Sequence, residues 1–236
     1  MRKKKVMVLF AASLMLFAMG CSNEANKEED NQKQGQHKYH DNNESGKVKD
    51  TTKSQAEMAD DEELQQFFSN ESLGEYKVIG EGYNDELGID GNADTPLKPV
   101  KLGPIRLTIE SVKVLEVKPS NDVIGTIFDN DEIAQVVVAK VKIHSTTDEL
   151  MEFHADTSKL TTDTGEEVFA RMVNDDVWDE FDGTQEKEGY VLWVLDTPDK
   201  KIQNMQMTIY PPIASMEFKE MGEEKQINVD VASNGS

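Results

Sequence analysis

The stretch Gln135–Ile143, QVVVAKVKI, decides the fold class. Its side chains Val137, Ala139, Val141 and Ile143 recur at every second position. Residues at this period share one face of a β-strand, whereas an α-helix needs a period near 3.6. The segment therefore predicts a β-strand with one strongly apolar face.

The segment before it, residues 105–114, alternates in the same way but changes phase at Ser111 and Val112. After the change, Val112 and Val114 carry the apolar face. An alternation that slips by one residue inside a long strand indicates a β-bulge or a bend. We therefore expect one irregular strand here rather than two separate ones.

Further alternating segments follow at intervals near ten residues, and turn residues such as those of Asp163–Glu166 separate them. About seven short strands with turns between them are typical of an antiparallel sandwich. The sequence thus predicts an all-β, immunoglobulin-like β-sandwich. Its remaining strands are expected near Tyr76–Gly80, Lys159–Thr162, Glu167–Arg171, Gly189–Leu195, Gln203–Tyr210 and Lys225–Val231.

A short helix is predicted at residues 60–68, because acids at its start suit the helix dipole. Leu64, Phe67 and Phe68 fall at positions i, i+3 and i+4 and form one apolar face. We expect this face to dock on the β domain.

The N-terminus has the layout of a bacterial lipoprotein signal. A basic start, Arg2–Lys5, precedes an apolar run, Val6–Met19, which ends at Gly20 and Cys21. The apolar run is shorter than the roughly 20 residues of a membrane span. This resembles the lipobox, in which the cysteine becomes the first mature residue and carries lipid. Cys21 is the only cysteine, so a disulfide framework is excluded.

Three segments follow from composition: a signal peptide at 1–20, a polar disordered tether at 21–59 and a folded domain at 60–236. The whole chain carries a formal charge of −21, which becomes −25 once the four basic residues of the signal are removed. Residues 60–236 hold 38 acidic and 15 basic side chains. Such a surface argues against binding of nucleic acid or anionic lipid.

Five segments resemble a known family. The chain is similar to the telokin-like, immunoglobulin-like domains of unassigned function on secreted lipoproteins of Gram-positive bacteria, over about residues 75–232. The resemblance implies a β-sandwich, a lipid anchor and a location in the cell envelope, and it transfers no catalytic residue. The segments are Ala134–Glu149, Phe153–Asp156, Leu160–Glu166, Lys187–Trp193 and Thr197–Pro198.

The sequence lacks the motifs that are typical of nucleophilic catalysis. The chain has no Gly-x-Ser-x-Gly elbow and no cysteine free of the lipobox. His144 and His154 are interpreted as solvated turn residues. We expect a non-catalytic protein, and an envelope hydrolase using acids such as Asp175 or Glu180 is the more distant alternative.

Calcium is the ligand that the acidic loops suit best. Asp90, Asn92 and Asp94 place oxygen donors at alternate positions, as a calcium loop requires. Thr95 and Lys101 stand where an EF-hand needs glycine and glutamate, so the loop is not an EF-hand. A calcium-dependent surface module is therefore the first alternative, although turn chemistry alone also favours such residues. A second candidate cluster consists of Asp129, Asp131 and Glu132, and a third lies within 174–182.

Trp178 and Phe181 lie in an acidic loop and are candidate contacts for a partner, for which the charge suggests a basic protein surface. The alternative is a loop folded back on its own core. Met205 and Met207 are interpreted as core residues rather than copper ligands. The sequence thus predicts a monomeric, lipid-anchored module on the extracytoplasmic face of the cell membrane, which binds a ligand or protein or protects the surface.

Overall fold

The computed structural model of this chain describes residues 55–90, 95–173 and 178–233. The predicted signal peptide, Cys21 and most of the predicted tether lie outside these ranges. The predicted helix begins at Gln55, five residues before the expected start at residue 60.

One α-helix, one short 3₁₀ turn and thirteen strands make up the described part of the chain. The helix α1 is Gln55–Asn70, and the 3₁₀ turn is Ala155–Thr157. The strands are β1 Gly74–Tyr83, β2 Val100–Leu102, β3 Ile105–Pro119, β4 Ala134–Ser145, β5 Met151–His154, β6 Lys159–Thr162, β7 Glu167–Phe169, β8 Trp178–Phe181, β9 Glu186–Leu195, β10 Asn204–Ile209, β11 Ile213–Ala214, β12 Lys219–Glu220 and β13 Lys225–Ser233.

Nine strands form one antiparallel sheet in the order β7-β6-β10-β13-β1-β3-β4-β9, with β2 paired to β3. The sheet curls until its two edges meet, and a bridge between Arg171 and Leu192 joins them. A smaller sheet has the order β12-β11-β5-β8. The all-β prediction is confirmed.

The irregularity expected in β3 is present. Ile109 pairs with Val141, and Ser111 pairs with Lys140, so Glu110 is the extra residue of a β-bulge. The bulge lets Val112 face the same side as Ile109, which explains the slipped alternation.

β4 is buried on both faces, and its alternating side chains separate two hydrophobic clusters. Val137, Ala139, Val141 and Ile143 belong to the inner cluster, which also takes residues from the opposite wall formed by β6, β10 and β13. Core packing between opposite walls of the curled sheet gives the sandwich-like arrangement. Met205 and Met207 are buried in this inner cluster, as predicted.

α1 covers the outer cluster, on the other face of β3, β4 and β9. Leu64, Phe67 and Phe68 are buried there, which confirms the predicted docking face. Phe67 stacks on Tyr190 with ring centroids 4.7 Å apart, and Phe68 packs against Tyr76 at 4.5 Å. In the described part of the chain, no helix has both the length and the apolarity needed to cross a membrane.

The strand count exceeds the expected seven because very short strands escaped detection. β2, β5, β8, β11 and β12 each have two to four residues, too few for a recognisable alternation. Residues 178–181, expected in a loop, form strand β8 and pair with β5.

Candidate functional site

A recess of about 400 Å³ lies at one end of the curled sheet, under the connection between β9 and β10. Its apolar floor consists of Ile79, Val114, Ile202 and Val231. All four side chains belong to the inner cluster or pack against it. The recess, called here the strand-end pocket, therefore opens directly onto the hydrophobic core.

The backbone of β1 shapes one wall of this pocket. The register shifts between Val78 and Gly80, so Ile79 is the extra residue of a second bulge. A Cβ on Gly80 would lie 3.0 Å from the Val231 side chain and 3.5 Å from Cβ of Val114. Glycine at this position thus lets β1 approach the Val114 and Val231 side chains closely.

Gln135, at the start of β4, fixes the opposite wall. Only 4% of its surface is exposed. In the amide orientation that satisfies its hydrogen bonding, the amide nitrogen faces the carbonyl oxygens of Lys200 at 3.1 Å, Pro198 at 3.2 Å and Thr197 at 3.3 Å. The two N–H donors of this buried amide are shared among the three carbonyls and hold the backbone of the connection in place.

The rim of the pocket is basic, although the domain is strongly acidic. Lys77, Lys200 and Lys201 line it together with one carboxylate, Asp199. Within the described residues, none of these three ammonium groups has a carboxylate within 4.0 Å. The residues that line the pocket therefore carry a formal charge of +2, although Glu116 pairs with Lys77 on the neighbouring strand, and residues 60–236 as a whole hold 38 acids and 15 bases.

A second recess, of about 450 Å³, has the opposite charge. Its lining includes Asp85, Glu86 and Asp230, with Lys225 as its one base among the described residues. Lys225 has a carboxylate neighbour, Glu223, at 3.9 Å. This recess follows the average charge of the domain, whereas the strand-end pocket departs from it.

The outer face of the sheet carries a charge cluster centred on Lys140. Its ammonium lies 2.5 Å from Glu63 of α1, 3.1 Å from Glu110 and 3.1 Å from Glu188. Burial opposes the charge, but the hydrogen bonds that the ammonium donates to the three glutamates outweigh it and raise the pKa of Lys140 far above its usual value. Lys140 thus links the helix to the sheet through its ion pairs and stays charged at any physiological pH.

Lys142 belongs to the same cluster. The negative charge of Glu110, followed by that of Glu188, raises the pKa of Lys142. Burial alone would raise the pKa of Glu188, but hydrogen bonding and attraction by Lys140 prevail and lower it. With Glu186, the two lysines face four glutamates, so the cluster keeps a formal charge of −2 and its lysines are already engaged in ion pairs.

His154 and Asp156 form the other titratable group of note, although His154 lies in β5 rather than in the predicted turn. Nδ1 of His154 lies 3.9 Å from Oδ1 of Asp156, and Nε2 lies 3.7 Å from Glu152. Oδ1 of Asp156 is buried without a hydrogen bond. Burial raises the pKa of Asp156, and the nearby His154 partly opposes this.

The nearby Ser158 hydroxyl is fully buried and donates to the carbonyl of Ala155 at 2.6 Å, so it is not available as a nucleophile.

The residues predicted for calcium divide into two groups. Asn92 and Asp94 lie outside the described residues, and Asp90 accepts a hydrogen bond from Thr95 at 2.6 Å. In the second group, Asp129 forms an ion pair with Arg171. Among the described residues, no three His, Cys, Asp or Glu side chains converge as a metal site, so Asp129, Asp131 and Glu132 are not brought together as one. Calcium binding stays a prediction.

Of the two interpretations of the Trp178 and Phe181 segment, the position of Phe181 agrees with a segment folded back on its own core and not with a contact surface for a partner. Phe181 is fully buried in the inner cluster, and β8 holds it opposite Met151. Lys187 lies over its ring at 4.9 Å. The alternating pattern of β8 turns Phe181 inward, and the side chain of Trp178 lies outside the described part.

Sequence reasoning did not find the strand-end pocket. Lys77, Gln135 and Lys200 are far apart in the chain, and strand pairing alone brings them together. The adjacent pair Lys200 and Lys201 in an acid-rich domain was the one local signal that could have directed attention there.

Comparison with known proteins gives distant structural likenesses. No protein-family model and no curated protein matches the chain. A functionally unknown protein from Listeria monocytogenes EGD-e is 13% identical, with a TM-score of 0.46, over 70% of this chain and 90% of that one. A "putative lipoprotein (ycdA)" from Bacillus subtilis subsp. subtilis str. 168 is 12% identical, with a TM-score of 0.40, over 56% and 38%.

The yjhA protein from Bacillus subtilis is 10% identical, with a TM-score of 0.39, over 55% of this chain and 94% of that one. These neighbours come from Gram-positive bacteria, as do the lipoproteins that the sequence resembles. At such identities and TM-scores, the likenesses support no argument about family or function. The telokin-like classification stays a prediction.

Proposed function

We propose that this chain is a lipid-anchored protein of the cell envelope whose β domain is a non-catalytic binding module. The anchor is proposed from the sequence alone, because the sole cysteine, Cys21, ends a basic and then apolar segment. Two acyl chains on a lipidated Cys21 would give stable membrane attachment.

The strand-end pocket carries the binding part of the proposal. Ligand sites combine an apolar interior with a few polar groups and occur at the mouths of β-barrels. The strand-end pocket has this composition, with an apolar floor, a buried amide and three lysines at its rim. The exposed lysines are positioned to contact a ligand, and none of them is needed for an ion pair within the described residues.

Anchoring is tested in a Gram-positive host with the full-length chain. Cells fed an alkyne-bearing fatty acid should label the protein and hold it in the membrane fraction, and the domain should be cut by protease added to intact protoplasts. Cys21→Ser should lose both label and membrane attachment, whereas the control Ser22→Ala should keep both. A Cys21→Ser protein that stays in the membrane, or a domain protected from external protease, would contradict the proposal.

A further inference from the structure

We propose that the strand-end pocket binds an anionic amphiphile, which is an alkyl chain that ends in a carboxylate or phosphate. The inference rests on the proposed binding function and adds to it the chemical class of the ligand. Two features of the pocket argue for it independently, namely its floor and its rim.

The floor favours an alkyl chain. Ile79, Val114, Ile202 and Val231 present side chains without polar atoms, and they continue into the inner cluster. A chain lying there removes its own apolar surface from water and covers the surface that the partly buried Ile79 and Val231 still expose, since Val114 and Ile202 are each only 2% exposed. Each further methylene buried there is expected to raise affinity about fourfold.

The rim favours an anionic head group. Lys200 and Lys201 come from the connection that Gln135 holds, and Lys77 comes from β1 on another side of the opening. Ammonium groups from two elements, without carboxylate partners, suit an oxyanion between them. Asp199 reduces the net charge of the rim to +2, which matches a head with one or two negative charges.

The acidic charge of the rest of the domain restricts anion binding to the strand-end pocket. With 38 acids and 15 bases in residues 60–236, an anion is repelled from most of the surface. An anionic amphiphile should therefore bind at this one place, whereas a cationic amphiphile should bind diffusely to the acidic surface.

The test uses the soluble chain that begins at Ser22. The chain that begins at Ser22 retains the helix and all thirteen strands of the described residues. Isothermal titration below the critical micelle concentration compares decanoate, decyl phosphate, decanol and decyltrimethylammonium. We expect one or both anions to bind at one site, at least tenfold more tightly than decanol. The better anion identifies a fatty acid or a lipid phosphate as the natural source.

Two matched triple variants locate the site. Lys77→Ala, Lys200→Ala and Lys201→Ala together should weaken anion binding at least tenfold without changing the melting temperature. Lys98→Ala, Lys101→Ala and Lys219→Ala change the net charge equally at exposed lysines outside the pocket, and should leave binding unchanged.

Equal binding of decanol and the anions, equal effects of the two triple variants, or no binding of any probe would each overturn the inference. A chain that is anchored and displayed but binds none of the probes leaves the proposed envelope location standing. A chain that is not lipidated overturns that location whatever the probes do.

Discussion

Arg171 and Leu192 pair across the seam where the two edges of the curled sheet meet. The backbone N–H of Arg171 donates to the carbonyl oxygen of Leu192 at 2.7 Å. On the same side, the indole N–H of Trp193 donates to the carbonyl oxygen of Ser158 at 3.1 Å. Closing a sheet on itself removes edges that could otherwise pair with another chain.

Replacing Trp193 by phenylalanine should weaken this seam. The side chain is 1% exposed, so the substitution removes a buried hydrogen bond and leaves a small cavity. We expect the free energy of unfolding to fall by about 1–3 kcal/mol. Denaturant unfolding followed by circular dichroism measures it. Phe169→Leu, at an exposed aromatic of β7, is the control, and equal stability of Trp193→Phe and wild type would contradict the role of the seam.

Phe68→Ala should detach α1 from the sheet. Phe68 is 2% exposed in the outer cluster, and burial of an aromatic side chain is a large contribution to stability. The expected loss is about 3–5 kcal/mol in the free energy of unfolding. Gln65→Ala, on the exposed side of the same helix, should change stability little. A comparable loss in both variants would show that helix propensity rather than docking is responsible.

Lys140→Met should destabilise the protein near neutral pH, because Glu63 would lose its cation and Glu110 and Glu188 would keep only the more distant Lys142. We expect a loss of about 1.5–3 kcal/mol, since methionine keeps the packing of the aliphatic stem. Chemical denaturation at pH 7 measures it. Lys219→Met, at an exposed lysine, should be close to wild type.

The effect of Lys140→Met should also depend on pH. The fold lowers the pKa of Glu188 below its usual 4.5, so its stabilising contribution is complete above that pH. The contribution is lost as pH falls through the lowered pKa. The difference between wild type and Lys140→Met should therefore shrink below pH 4.5, and a difference that persists into strong acid would contradict an electrostatic origin.

Asp156→Asn should raise the melting temperature at pH 7. Burial raises the pKa of Asp156 in the folded protein, so its ionised form opposes folding as pH rises above the usual 3.8. The amide removes that charge and can donate a hydrogen bond in the buried space. The gain should disappear near pH 3, where the acid is neutral in both states. Asp148→Asn, at an exposed position, is the control, and a lower melting temperature in Asp156→Asn at pH 7 would refute the argument.

Much of the fold was predictable because its signals are local. The alternation of residues 135–143 identified β4, the slip at Ser111 located a bulge, and Leu64, Phe67 and Phe68 revealed the docking face of α1. Period and phase follow directly from how a strand or helix places successive side chains. The same local reasoning failed for β2, β5, β8, β11 and β12, which are too short to show a period, whereas the equally short β6 and β7 were found because a turn signal lies between them.

By itself, the sequence determined the class of fold and the acidic character of the domain, and it predicts a lipoprotein signal at the start of the chain. Only the tertiary structure shows that Phe181 is buried in the core and that Asp129 forms an ion pair with Arg171. It also places Lys77 and Lys200 in the lining of the same pocket. These outcomes depend on which strands become neighbours when the sheet curls. That choice is made by packing between residues distant in the chain, and no short segment encodes it.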